Sequence, residues 1–418
     1  MRKFLIAFLC VTVPVFAQIA IKGEKVYTMS GAPIDGGVVL VKDGKIEAVG
    51  SQSGTAIPSG YQVLEAKVVT PGLIDAHSVV GLAGYLNQDH DQDQLEESSP
   101  VQPSLRAIDA YNAREKLVAW VRNYGVTTLH TGHGPGALVS GQTMVVKSVG
   151  ETVDEAVVQP RTMLAVTLGE SGQARGGKSP GTRAKMMAMM RANLIKAQAR
   201  VAEAKAKEEA KKEKKDKKKK KDDDQKAPPP KPRNLEEDVW DAVLAGELPL
   251  LVTAHRAQDI ANALRLAKEF GIEMVLDGGA EAYLMVDELK ARNVPVILHP
   301  TMMRTFGEAE NASMETASKL VEAGLTVALQ SGFEGYVPKT RVVLFEAAIA
   351  AANGLDFQQA LAMITSTPAK ILGISDRVGS LKKGMDADVV MFDGDPFEYT
   401  THVTGVMVDG VMVSTMVN

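Results

Sequence analysis

Apolar residues along this chain follow two rhythms, and the change between them marks the expected domains. From Ile21 to Val63 short apolar runs alternate with turn residues at Ser30-Gly31, Asp35-Gly36-Gly37 and Asp43-Gly44. The runs Val38–Val41 and Lys45–Val49, joined across Asp43-Gly44, predict a β-hairpin, because Asp-Gly readily supplies the positive φ of a tight turn. The same rhythm returns in Ala387–Phe392 and Gly405–Val413, with a turn at Asp393-Gly394-Asp395-Pro396. Two strand-rich ends, 18–66 and 376–418, are expected to close into one small β-sandwich beside a larger domain spanning 67–375.

Inside the larger domain the rhythm becomes strand then helix. Pro249–Thr253, Glu273–Leu276, Pro295–His299 and Thr326–Leu329 read as strands, separated by helices over Ala257–Phe270, Glu281–Arg292 and Ala312–Ala323 and followed by one over Val342–Ala352. Such alternation predicts a parallel sheet with helical crossovers, an α/β chain whose unit lengths suit the last half of a (β/α)8 TIM barrel. Val68–Ile74, Val126–His130, Thr143–Lys147 and Met163–Thr167 supply the other strands, with a long helix from about Ser104 to Tyr124. An Ala/Lys/Glu-rich helix begun near Thr182 leads into a Lys/Pro-rich insertion at about 205–233, expected to be disordered because it has almost no apolar surface to bury.

Composition narrows the picture. An apolar fraction of 45% over 418 residues supports a sizeable core, and a net charge of −4, with its lysines interleaved by acids, gives no ground for a nucleic-acid partner. Met1-Arg2-Lys3, the apolar run Phe4–Phe16 and the small residue Ala17 have the order of a secretory signal over 1–17, so the protein is expected to be secreted or periplasmic. That run is shorter than the ~20 residues of a membrane span. Cys10, the only cysteine, lies inside it, which leaves the exported chain without disulfides or thiolate ligands.

The candidate chemistry is histidine chemistry. His77, His90, His130, His133, His255 and His299 all fall at or just past a predicted strand end, the face on which barrel enzymes work. His77, His255 and His299 are the candidate metal ligands, while His130 and His133 are candidate catalytic bases. Ser331 is a candidate nucleophile, although no Gly-x-Ser-x-Gly elbow surrounds it. His90 sits in the acidic run Asp89–Asp93. Arg256 and Lys147 suit either a ligand's carboxylate or a framework ion pair.

Pro71-Gly72-Leu73-Ile74-Asp75-Ala76-His77, together with Ile364–Gly373 and Asp376–Asp388, resembles the amidohydrolase superfamily, and more narrowly its secreted imidazolonepropionase-like branch. The resemblance implies a metal-dependent TIM-barrel hydrolase acting on carbon–nitrogen bonds of small or cyclic amides. Of the ligands it implies, His77 and His255 are present. Val79, Ala165, Gly278 and Gly332 stand where a histidine, a carboxylated lysine, a histidine and an aspartate are expected. Two imidazoles would hold one divalent metal such as zinc weakly or not at all, since hydrolytic zinc sites normally have three protein ligands. Two readings stay open: a hydrolase with a relocated metal or a histidine base, and a non-catalytic pseudoenzyme that binds an amide-like ligand or supports an active paralogue. Homodimers or paralogue heterodimers are the partners that the resemblance implies.

Overall fold

A computed structural model describes residues 18–86, 88–174, 176–217, 233–299, 305–332 and 343–417. The expected signal segment 1–17 and residues 218–232 of the insertion lie outside these. Four strands open the described chain, β1 (Ile19–Val26), β2 (Ile34–Lys42), β3 (Lys45–Ser51) and β4 (Gln62–Pro71). Ten short ones follow: β5 (Leu73–Ser78), β6 (Val126–Thr131), β7 (Val139–Gln142), β8 (Met144–Lys147), β9 (Val157–Gln159), β10 (Leu164–Thr167), β11 (Leu250–Ala254), β12 (Met274–Gly278), β13 (Val296–Leu298) and β14 (Val327–Leu329). The last three are β15 (Val389–Phe392), β16 (Val403–Val408) and β17 (Val411–Ser414).

The chain ends meet in one seven-stranded sheet, ordered β17-β16-β15-β4-β1-β2-β3. β1 alternates sides, so that Ile19 and Ile21 join one apolar cluster with Val39, Val41 and Met407, while Ala20 packs with Val38 and Leu40 on the other face. Val390, Phe392, Val403, Val406 and Val408 belong instead to the main core, which fastens this sheet to the larger α/β body.

That body holds a six-stranded sheet, β14-β13-β12-β11-β10-β7, and a four-stranded one, β5-β6-β8-β9. β10 to β14 run parallel, as the strand–helix alternation predicts. The third expected strand does not. β8 is antiparallel to β6, and β7 is antiparallel to β10, so 139–147 forms a reversed ribbon between the two arcs. At the other side the arcs meet in one isolated bridge, Ser78 to Gly332. Among the described residues there is therefore no single closed barrel sheet.

Two further expectations change. The helix expected from Ser104 to Tyr124 shortens to Lys116–Asn123, because Asn112 and Glu115 turn their side chains onto the backbone amides of Arg114 and Leu117 and start the helix there. The helix begun at Arg183 runs to Lys217, past the 205 at which disorder is expected, consistent with the helix propensity of its Ala, Lys and Glu. Its packed part is the N-terminal one, where Met186, Met190, Leu194 and Ala197 are buried in the main core.

Candidate functional site

The period of two along the parallel strands builds the site. Leu251, Val275, Ile297 and Ala328 share one apolar layer on the inner face, closed by Ala369, Leu372 and Val378. Two residues further along the same strands come Thr253, Asp277, His299 and Gln330, so the same inner face turns polar at the strand ends. Leu250, Val252, Met274, Leu276, Val296 and Leu298 point the other way, into the main core.

Asp277 is the centre of this polar layer. It is fully buried, and its carboxylate accepts from His77 Nδ1 at 3.0 Å, Thr253 Oγ1 at 2.6 Å and Gln330 Nε2 at 2.7 Å. Burial alone would raise its pKa, but His77 and the other two donors outweigh that and hold it below the usual aspartate value. Asp277 is therefore an anion, and it fixes His77 with a proton on Nδ1. The sequence signal for it was present: Leu251-x-Thr253, Val275-x-Asp277, Ile297-x-His299 and Ala328-x-Gln330 repeat one apolar-x-polar pattern, which gains meaning only once the strands are in register.

The candidate residues gather at these strand ends but differ in what they can do. His130, in β6, has both nitrogens engaged: Nδ1 donates to Ala76 O at 2.6 Å, and Nε2 accepts from Thr143 Oγ1 at 2.7 Å. Burial, then His77 nearby with ring centroids 5.6 Å apart, pushes its pKa down to about 3. A neutral imidazole with no spare lone pair is framework, so His130 does not serve as the expected base. His133 is buried, neither of its nitrogens has a partner among the described residues, and burial lowers its pKa to about 4. Ser331 also departs from expectation: its hydroxyl and its amide both donate to Asp75, a buried carboxyl raised to about 6 by burial, so it ties β14 to β5 instead of facing a base.

His255 and His299 each lie against a glycine. At Gly278, whose φ is +83°, an added Cβ would lie 2.7 Å from His255 Cε1. At Gly332, with φ +71°, it would lie 2.5 Å from His299 Nε2. Each imidazole thus covers a glycine where the resemblance expects a ligand side chain. His77 Nδ1 faces Asp277, and no three His, Cys, Asp or Glu side chains among the described residues are placed to share a metal ion. The donor set among the described residues does not fit a three-ligand zinc site.

His255 is where the site meets solvent. It lines an open cleft of about 1210 Å³ walled by Ser98, Leu138, Ser171, Pro180 and Phe306. Its Nδ1 is buried without a partner, and burial holds its pKa below the ordinary histidine value, so the ring is neutral at pH 7. The other candidates lie elsewhere. His90 is exposed beside Asp91, Arg256 is ion-paired with Glu310, and Lys147 is bound by Asp386, Asp388 and Asp409 beneath the terminal sheet.

Comparison with known proteins adds a family to this geometry. The model described as the amidohydrolase family matches residues 68–418. Amidohydrolase tasK of Hapsidospora irregularis is 23% identical over 393 residues, 90% of this chain but 39% of that protein, so the chain spans about two fifths of that relative's length. The crystal structure of an amidohydrolase from Thermotoga maritima MSB8 aligns at a TM-score of 0.83 and 30% identity, over 95% of this chain and all of that one. An adenosine deaminase from Xanthomonas campestris with bound zinc aligns at 0.53 and 12% identity, over 95% and 92% of the two chains, a likeness of fold alone.

Proposed function

Since the chain belongs to the amidohydrolase family, we propose that it is an exported hydrolase for carbon–nitrogen bonds of small amides or cyclic amides, in which a histidine base takes over the role the metal has in relatives. The observation that carries this reading is His255, an imidazole kept neutral by burial and lining a ligand-sized cleft. A water held against the ring from the cleft would give up its proton to the imidazole as its oxygen attacks the amide carbon, and the imidazolium would return the proton to the leaving nitrogen. The Asp277 carboxylate lies close enough for its negative charge to favour the transient imidazolium.

The finer assignments rest on sequence. Pro71–His77 and Asp376–Asp388 support the imidazolonepropionase-like branch, and the two arcs are read as an opened (β/α)8 barrel spanning 67–375. Residues 1–17 are read as a cleaved signal, which a mass measurement on protein from its native compartment tests directly.

The experiment for the activity is hydrolysis of a panel of N-acyl and cyclic amides with and without chelator. We expect turnover that survives chelation and falls by about 10²–10⁴ in His255→Ala, the usual contribution of a general base. Turnover abolished by chelator and restored by zinc would reject the metal-free mechanism.

A second reading is favoured by one observation. Val79, Ala165, Gly278 and Gly332 stand where the resemblance expects metal ligands, and no three His, Cys, Asp or Glu side chains among the described residues are placed to share a metal ion. A chain that has lost the family's donors could then serve as the non-catalytic partner of an active paralogue or copy. An absence of turnover, with a paralogue's activity rising on mixing, would select it.

A further inference from the structure

The cleft above His255 has a second polar feature that hydrolysis does not use. Leu168-Gly169-Glu170-Ser171 follows β10, and its donors converge on one carboxylate, that of Glu308. Glu170 N donates to Oε1, Ser171 N donates to Oε2 at 3.0 Å, and Ser171 Oγ donates to Oε2 at 2.8 Å. Arg183 Nη2 stands 3.5 Å from Oε1, while the same guanidinium holds the buried Asp259 through Nε at 2.7 Å and Nη2 at 3.0 Å. Gly169 makes the approach possible, because a Cβ there would lie 2.2 Å from Glu308 Oε1.

Successive main-chain amides, a hydroxyl and a guanidinium around a space kept open by glycine are the donor set of a carboxylate site. Asp259 already balances Arg183, so an incoming carboxylate that replaced Glu308 would leave the charge of the cradle unchanged. Glu170, Ser171 and Glu308 line the same cleft as His255. Glu308 can leave by rotating its own side chain, without unseating Glu310 from Arg256 or Asn311 from Glu281.

We propose that this cradle recognises a carboxylate on the ligand, and that Glu308 holds the place of that carboxylate when no ligand is bound. The ligand class becomes a small amide that also bears a carboxylate, with the acid in the cradle and the amide turned toward His255. The orientation rests on the hydrolase reading, whereas the recognition does not.

Calorimetry on the full chain tests it with N-acetylglycine, its uncharged amide N-acetylglycinamide and inorganic phosphate, none of which requires turnover. Removing the internal competitor in Glu308→Ala should tighten N-acetylglycine by about tenfold or more and leave the uncharged amide unchanged. Adding Ser171→Ala should weaken the acid again by several-fold. Glu308→Gln should behave like Glu308→Ala in direction, and serves if the alanine variant does not fold. Equal changes for acid and amide, no binding of the acid to either Glu308 variant, or a preference for phosphate would each overturn the assignment. Absent hydrolysis with intact acid recognition would reject only the catalytic reading.

Discussion

Two buried polar clusters sit toward opposite ends of β6 and β8, and they are finished differently. Lys147, level with Thr128 near the start of β6, meets Asp388 at 2.6 Å, and Asp386 and Asp409 at 3.2 Å each. Burial would lower its pKa, but Asp388 and Asp409 outweigh that and raise it, so the ammonium is kept. Asp386 is shared further with Lys45 and Arg377. Every member has a partner. At the other end His133 and His255 keep buried nitrogens with none among the described residues. In α/β barrels residues at the N-terminal ends of the parallel strands serve stability and those at the C-terminal ends serve chemistry, and Lys147, which ends the reversed β8, lies at the N-terminal end of β6.

The contrast is broken most sharply at Lys147. Lys147→Met strands Asp388 beside Asp409, and by the usual cost of breaking a buried pair it should lose about 3–5 kcal/mol in denaturant unfolding. His255→Ala, by comparison, should unfold close to the parent, because it removes a group whose nitrogen was already unsatisfied.

Acid sharpens the comparison next. His133 titrates near 6.5 unfolded and near 4 folded, so the folded state binds fewer protons in between, and its contribution is present above about 6.5 and lost as pH falls toward 4. His130, lowered to about 3, acts in the same direction. Asp75 acts against them: raised to about 6, it binds more protons when folded and contributes stability that is lost as pH rises from about 3.8 to 6. Of these three groups the two histidines outweigh Asp75, and His255, also lowered by burial, adds to the acid lability. His133→Gln should flatten the pH dependence of unfolding by about 1.4 kcal/mol per pH unit across 4–6.5. An unchanged slope would place the sensitivity elsewhere.

A smaller loss is expected at Asp277→Asn. It keeps the shape but removes the anion that accepts from three donors, and should cost about 1–3 kcal/mol together with the orientation of His77. A smaller stability cost still, about 1 kcal/mol, is expected from Gly278→Ala, whose φ disfavours a side chain. Its effect on turnover should exceed its effect on stability, since the new methyl displaces the His255 ring. Deleting 218–232, where Lys, Asp and Pro leave a single alanine to bury, should not move Tm at all.

Much of the framework was legible in the chain itself. Helices such as Ala257–Phe270, which ends on Gly271 with φ +66°, and the parallel strands β11 to β14 follow from local rhythm, because apolar periodicity and a C-terminal glycine are properties of consecutive residues. The gathering of His77, His130, His133, His255 and His299 at strand ends follows from the same periodicity. Tertiary structure decided the rest. Residues 139–147 run backwards because their pairing with β6 and β10 depends on partners distant in the chain, and no local pattern carries that sign. What surrounds each imidazole came from the tertiary fold: Ala76 O and Thr143 for His130, Asp277 for His77, a cleft beside His255. A residue's chemistry depends on its desolvation and on the one or two groups within hydrogen-bond reach, and folding brings those groups from separate strands.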